Sequence, residues 1–178
     1  MKRLPQSFYA RDTQRVAKDL LGKVLVRKHG ALVLQGRICE VESYQGEDDG
    51  ACHASKGKTK RTEIMYGPAG YAYVYMIYGM YHCLNVVTEV ENFPAAVLIR
   101  AVIPMQHMQH KTDGPGKLCR EFFINREQNG INLAASDELF IADDGTRIPQ
   151  QHILTSQRIG VAYAGNDALL EWRYFYSK

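Results

Sequence analysis

Residues 66–85 read Y-G-P-A-G-Y-A-Y-V-Y-M-I-Y-G-M-Y-H-C-L-N, a stretch that holds six of the eleven tyrosines and no charged residue. Tyr71, Tyr73 and Tyr75 alternate with small or aliphatic residues. This period of two predicts a β-strand whose three tyrosine rings share one face of a sheet. A buried tyrosine also needs a partner for its hydroxyl group. The stretch therefore predicts either an aromatic core strand or a surface on which a flat ligand stacks.

The composition of the chain is that of a globular protein. Its 178 residues fit one domain, residues 1–178, and its 46% hydrophobic and 23% charged residues exclude a disordered chain. The net charge of +3 permits a polyanionic partner without requiring one. The four cysteines are widely spaced and form no C-x-x-C pair, so we expect reduced thiols, no metal site and no cofactor.

Two features bear on localisation. The basic N-terminus is followed by no apolar run, so we expect that it is not a secretory signal. Residues 69–88 are uncharged, but they contain Tyr, Gly, His, Asn and Thr where a membrane helix would carry Leu or Ile. We expect no membrane partner and a cytoplasmic, nucleoid-associated protein.

Helix and strand signals are mixed along the chain, which predicts an α+β fold. A helix is expected from Asp12 to about residue 21 with Gly22 as its end, and a second helix over residues 117–123. A β-hairpin is expected from residues 23–28 and 31–44, joined by His29-Gly30. Further strands are predicted over residues 95–103, 139–142, 159–163 and 172–176.

Two carboxylates share one face of the predicted strand R-I-C-E-V-E-S-Y, residues 37–44. Strand alternation puts Glu40, Glu42 and Tyr44 on the same side. A carboxylate pair supplies an acid and a base in carbohydrate hydrolases. Glutamates on an amphipathic strand more commonly face water. We expect this of Glu40, whereas Glu42, next to Tyr44 and close to a loop, is a candidate for chemistry.

The polar loop after this strand holds His53 and the cations Lys56, Lys58, Lys60 and Arg61. No metal-ligand spacing surrounds His53, so an ordinary loop histidine is the simplest interpretation of this loop alone. The cations are either solvated or in contact with a phosphate backbone. Aromatic residues near such cations are typical of nucleic-acid surfaces, because rings stack on bases while cations hold phosphates.

Three features together resemble one known family: R-I-C-E-V-E-S-Y, His53 nine residues after Tyr44, and Y-V-Y-M-I-Y-G-M-Y-H-C-L-N. The chain closely resembles the alkyladenine (3-methyladenine) DNA glycosylases. The resemblance extends from L-G-K-V-L-V at Leu21 through G-P-G-K-L-C at Gly114 to R-I-G-V-A-Y-A-G at Arg158. It implies a single α+β domain built around a curved, mostly antiparallel sheet with a few short helices. The loop T-K-R-T-E departs from the pattern, which has a proline before the arginine.

The resemblance implies a role for each matched residue. Glu42 corresponds to the general base that activates a water, and Arg100 to a basic residue beside that water. The remaining matches are Tyr44, His53 and Tyr75 as walls around the damaged base, Tyr78 as the residue wedged into the duplex, and Asn85 as the residue that excludes the amino group of guanine. Tyr71 and Tyr73 match no pocket position, so we expect them to support the sheet.

The implied enzyme is a monofunctional base-excision repair glycosylase that works as a monomer on damaged double-stranded DNA. It flips an alkylated purine out of the duplex, with hypoxanthine as a further candidate, and hydrolyses the N-glycosidic bond to leave an abasic site. No lysine stands at a matched catalytic position, so water is the expected nucleophile and no lyase activity is expected. Electron-rich tyrosine faces would favour a positively charged alkylated base by about 1 kcal/mol.

Two other functions remain compatible with the residues. A non-catalytic nucleic-acid-binding module would use the tyrosines and the basic loop but would leave Glu42 without a purpose. A carbohydrate hydrolase would use Glu40 and Glu42 and would stack sugars on the tyrosines.

Overall fold

Strands with alternating apolar residues, joined by turns and loops, form the framework of the fold. The computed structural model describes residues 1–176. In chain order the elements are β1 (Lys2–Arg3), α1 (Gln6–Tyr9), α2 (Thr13–Leu20), β2 (Val24–His29), β3 (Leu32–Gln45), β4 (Ala72–Ile77), β5 (Tyr81–Val87), β6 (Ala95–Pro104), α3 (Pro115–Glu121), β7 (Leu139–Asp143), β8 (Leu154–Ser156) and β9 (Arg173–Phe175). Short 3-10 helices over His53–Lys56, Glu63–Tyr66, Arg126–Gln128, Gln150–His152 and Ala162–Leu169 complete the described chain.

The strands form one curled sheet in the order β1-β7-β2-β3-β6-β5-β4, and β9 pairs with both β3 and β8. Every pairing among these strands is antiparallel. The predicted α+β class and the curved antiparallel sheet are therefore confirmed. No helix within residues 1–176 has the length and apolar character needed to cross a bilayer. The four cysteines are buried, and no disulfide joins them.

The N-terminal predictions agree with the structure. The Asp12 side chain accepts a hydrogen bond from the Arg15 backbone N–H at 2.8 Å and caps α2. Gly22 follows α2 with φ of +85°, a left-handed conformation that glycine adopts at little cost. The hairpin of β2 and β3 turns at residues 30–31, where Gly30 has φ of +57°. Strand β6 also lies where it was predicted.

The strand predicted over residues 159–163 is wrong. These residues form a bend that leads into the 3-10 helix Ala162–Leu169. Gly160 has φ of +79°, which breaks an extended backbone, and the preceding Arg158 turns its side chain into the interior. The predicted strands near residues 139 and 172 are confirmed as β7 and β9. The strands β1 and β8 were not predicted, because they are too short to show an alternation of apolar and polar residues.

The two faces of the sheet carry different clusters of buried side chains. Ile38, Val41 and Ile99 face α2 and α3 and belong to the main aliphatic core. A second cluster on the other side is aromatic and lies against the loop that contains residues 52–66. Glu42 alternates with Val41 along β3 and therefore points toward the aromatic side.

Candidate active site

The register of four strands brings one row of side chains onto the aromatic face. Glu42 of β3 lies opposite Leu98 of β6, Leu98 opposite Asn85 of β5, and Asn85 opposite Tyr73 of β4. All four residues line a cavity of about 420 Å³. This volume lies within the range of ordinary small-ligand sites. Further parts of the wall come from the segments 51–65 and 159–163 and from other residues of the same strands.

Glu42 is fully buried at the edge of this cavity and is held by three donors. Its Oε2 accepts from the Tyr44 hydroxyl at 2.7 Å, and its Oε1 accepts from the Ile159 backbone N–H at 2.8 Å. The Arg100 Nη1 lies 3.3 Å from Oε1. A buried carboxylate persists only where hydrogen bonds or an opposite charge replace water. These donors stabilise the charge of Glu42 and fix its orientation beside the cavity.

Arg100 lies at an irregularity of the sheet. Glu40 pairs with Ala101 and Val41 with Ile99, so the register skips Arg100. Such bulges redirect side chains and are common next to active sites. Burial opposes the charge of Arg100, but the Glu42 and Glu40 carboxylates outweigh it and raise the pKa of Arg100.

Glu40 does not face water as expected from an amphipathic strand. Its side chain is 18% exposed, and Oε1 accepts from Arg100 Nε at 2.8 Å and from Arg173 Nε at 2.7 Å. The cause is tertiary, because β9 pairs alongside this part of β3 and brings Arg173 with it. Glu40 and Glu42 thus hold Arg100 from two sides.

His53 and two tyrosines form one wall of the cavity. The His53 and Tyr75 ring centroids are 4.5 Å apart in an edge-to-face arrangement. The His53 Nδ1 lies 2.8 Å from the Tyr73 hydroxyl, so Tyr73 belongs to the site as well as to the sheet. Tyr73 does lie in the sheet, as expected, and in addition its hydroxyl group reaches the site. Burial, with a smaller effect of the Arg61 charge, lowers the pKa of His53 to about 4, so the ring is neutral at pH 7.

Tyr44 and Tyr75 present neutral rings to the cavity. Burial raises the pKa of both phenols, and the nearby Glu42 carboxylate adds to the shift. The Tyr44 hydroxyl therefore stays protonated and remains a donor to Glu42. Both side chains are only partly buried, because one side of each borders the cavity.

Asn85 is buried and rigidly held. Its Nδ2 donates to the Tyr73 backbone carbonyl at 3.0 Å and to the Cys83 carbonyl at 3.5 Å. Because both neighbouring groups are hydrogen-bond acceptors, the amide NH2 group must point toward them. The side chain therefore stands in the cavity as a fixed obstacle that cannot rotate away without losing these bonds.

Tyr78 occupies the turn between β4 and β5 at the rim of the cavity. It is 88% exposed and has φ of 51°, an uncommon conformation for a bulky residue. Such outliers cluster at functional sites. The Tyr78 side chain is therefore accessible from solvent at the rim.

The predicted DNA-binding cations do not form one uniform surface. Lys56, Lys58 and Lys60 are exposed, and Lys58 Nζ lies 5.5 Å from the Tyr66 ring centroid. Arg61 instead lines the cavity, and its Cζ lies 5.2 Å from the Tyr75 ring centroid.

Sequence reasoning missed the support behind Tyr44. Arg158 is 4% exposed, and its two terminal nitrogens bind the two carboxylate oxygens of Asp49 at 2.6 and 2.8 Å. Its Cζ lies 4.8 Å from the Tyr44 ring centroid and 5.0 Å from that of Trp172. The available signal was a basic residue at the start of the motif R-I-G-V-A-Y-A-G, whose other members are small, apolar or aromatic. Ile159, which follows it, supplies the amide bound to Glu42.

Metal-ligating groups are scattered across the described part of the chain. Within residues 1–176, no three His, Cys, Asp or Glu side chains are arranged to hold a metal ion. The groups that line the cavity include the Glu42 carboxylate, two guanidinium groups, the His53 imidazole and tyrosine rings.

Comparison with known proteins identifies the family. The sequence profile described as Methylpurine-DNA glycosylase matches residues 7–178. A protein of Anaeromyxobacter sp. (strain Fw109-5) is 50% identical over 97% of this chain and 88% of its own length. A protein of Methanocella arvoryzae is 49% identical over 97% of this chain and 91% of its own length. A protein of Legionella pneumophila (strain Corby) is 52% identical over 92% of this chain and 88% of its own length. All three carry the name "Putative 3-methyladenine DNA glycosylase". The chain belongs to the methylpurine-DNA glycosylase family of DNA repair enzymes.

Proposed function

We propose that this glycosylase flips an alkylated purine or hypoxanthine out of duplex DNA into the cavity and hydrolyses its N-glycosidic bond with a water molecule. The product is an abasic site in an unbroken strand. The observation that carries the proposal is the buried Glu42 carboxylate, held by three donors at the edge of a cavity with aromatic walls.

Flipping needs a side chain to compensate for lost stacking and a pocket to receive the base. Tyr78 at the exposed hairpin tip has the size and exposure to fill the gap in the duplex. Tyr44 of β3, Tyr75 of β4 and His53 of the 3-10 helix His53–Lys56 give the flipped base aromatic surfaces. Lys56, Lys58 and Lys60 are exposed near this rim and are available for phosphate contacts.

Glu42 is positioned to act as the general base. A water molecule beside it would transfer a proton to the carboxylate while its oxygen attacks C1′ of the flipped nucleotide. The electron pair of the glycosidic bond leaves with the purine nitrogen. For a cationic alkylated purine the departing base is neutral, which makes it a good leaving group. The carboxylate also stabilises the positive charge that develops on the sugar.

Asn85 provides a means of excluding normal guanine. Its side chain is fixed by two backbone carbonyls and lines the cavity. A guanine whose C2 amino group is directed at this side chain would have to displace it and break those hydrogen bonds. Hypoxanthine and adenine lesions carry no amino group at C2.

The carbohydrate-hydrolase alternative is less compatible with the geometry. That mechanism needs Glu40 as a second acid or base, but the Glu40 carboxylate is bound by Arg100 and Arg173. A non-catalytic binding module leaves the burial and orientation of Glu42 unexplained. The cavity and the exposed Tyr78 belong to the same chain, so we propose that a monomer acts on each lesion, which light scattering of the DNA complex would test.

The proposal is tested with duplex oligonucleotides that carry one 3-methyladenine or one hypoxanthine. Incubation should give strands that break only after alkaline treatment, because an abasic site is alkali-labile. Strand breaks without alkali would contradict the hydrolytic mechanism. Release of neither base would overturn the proposed activity, and release of sugars from glycosides would favour the hydrolase.

A further inference from the structure

The two tyrosine walls of the cavity share one feature, because each is in contact with a guanidinium group. Arg158 lies against Tyr44, with its Cζ 4.8 Å from the ring centroid. Arg61 lies against Tyr75, with its Cζ 5.2 Å from the ring centroid. Each ring therefore already interacts with a cation before any base enters.

The charges of these two arginines are balanced differently. Arg158 is buried and forms a bidentate ion pair with Asp49. Arg61 is exposed at the mouth of the cavity and forms no ion pair within residues 1–176. The Arg61 charge acts inside the cavity, because it adds to the effect of burial in lowering the pKa of His53.

The other groups that face the cavity do not offset Arg61. The charge of Glu42 is matched by Arg100, and Glu40 is shared by Arg100 and Arg173. His53 is neutral at pH 7. A base that carries a positive charge would therefore meet one uncompensated guanidinium on its way to Tyr75.

A cation on an aromatic ring weakens the attraction of that ring for a second cation, because the two like charges repel across a short distance. A neutral purine stacks on the same ring without this penalty. We propose that Arg61 is a specificity-determining residue that lowers the preference of the cavity for positively charged bases and so retains neutral damaged purines as substrates. This inference rests on the proposed function.

The experiment compares one cationic and one neutral lesion in the same duplex. The cationic lesion is 3-methyladenine, the neutral lesion is hypoxanthine, and the readout is the ratio of their single-turnover excision rates. Arg61→Met removes the charge and keeps the length of the side chain. We expect the ratio of cationic to neutral lesion to rise about fivefold in this variant, the size of a moderate cation–π contact. Arg61→Lys keeps the charge and should stay within twofold of the wild-type ratio.

The ratio separates this effect from a loss of phosphate contacts. Lys60→Met is the matched control, because Lys60 is the adjacent exposed cation and should change the excision of both lesions by the same factor. An unchanged or lower ratio in Arg61→Met would overturn the inference, as would an equal rise in Lys60→Met.

Binding of free bases tests the inference without catalysis. Titration with the cation 3,9-dimethyladeninium and with neutral 9-methylhypoxanthine, followed by NMR, gives the same comparison for bases that the protein does not cleave. Arg61→Met should tighten binding of the cation relative to the neutral base. Failure of wild-type protein to excise either lesion would count against the proposed function, whereas an unchanged binding ratio would count against the role of Arg61.

Discussion

Replacing Glu42 with Gln removes one charge while conserving the shape of the side chain. The Ile159 N–H and the Arg100 guanidinium are donors only, and both lie at Oε1. The amide oxygen of glutamine can take this position. Its NH2 group would then face the Tyr44 hydroxyl, which is able to rotate and accept. The hydrogen-bond network around residue 42 is therefore retained in Glu42→Gln, and Arg100 keeps its bond to Glu40.

The expected loss of activity follows from the lost base. General-base catalysis typically contributes about 10²–10⁴-fold to a rate, or about 2.7–5.5 kcal/mol. The stability cost should be smaller, about 1–3 kcal/mol for a hydrogen bond to a charged group that becomes neutral. Glu42→Gln should thus fold and bind a hypoxanthine duplex within about threefold of wild type, but excise the base at least about 100-fold more slowly.

Single-turnover excision with excess enzyme measures the chemical step, and fluorescence anisotropy measures binding of the same duplex. Glu40→Gln is the matched control on the same strand, because Glu40 contacts Arg100 and Arg173 and is separated from Glu42 by a single residue. We expect a smaller rate loss for Glu40→Gln. Folded Glu42→Gln that excises within threefold of wild type would refute the assignment of the base, and equal losses in both variants would refute the distinction between the two carboxylates.

Three further predictions concern the rim, the wall and the support of the cavity. Tyr78→Ala should change the free energy of unfolding by no more than about 0.5 kcal/mol, because Tyr78 is 88% exposed. The variant should slow base excision from duplex DNA more than from single-stranded DNA. Equal effects on both substrates would contradict the wedge role. Folding lowers the pKa of His53 from 6.5 to about 4, so as the pH falls the unfolded chain binds a proton before the folded chain does. The free energy of unfolding of wild type, measured by urea denaturation, should therefore decrease more between pH 6.5 and pH 4 than that of His53→Asn. Arg158→Ala should cost about 3–5 kcal/mol in the same assay by leaving Asp49 buried and unpaired, whereas Lys117→Ala in an exposed pair should change little.

Local signals in the sequence determined most of the secondary structure. The cap at Asp12, the turn at Gly30 and the alternation of Tyr73 with Tyr75 each depend on neighbours within a few residues, and the structure has each feature in the predicted place. Short strands such as β8 were not predictable, because three residues carry no measurable alternation and pair only when a partner strand is already present.

Tertiary structure decided the burial and the partners of Glu40 and Glu42. Both residues share a strand face in the sequence pattern, yet one is buried against the cavity and the other is bound by two guanidinium groups. The cause is the register break at Arg100 together with the pairing of β9. Neither is visible in the sequence, because strand register depends on contacts between segments far apart in the chain.

The chain by itself therefore determined which residue types are available and on which face of each strand they lie. Only the folded sheet determined that Tyr73 joins His53 at the cavity and that Arg158, more than 100 positions after Asp49, supports Tyr44 from behind. The physical reason is that side-chain alternation is a local property of the backbone, whereas the burial, charge balance and orientation of a group depend on every segment packed around it.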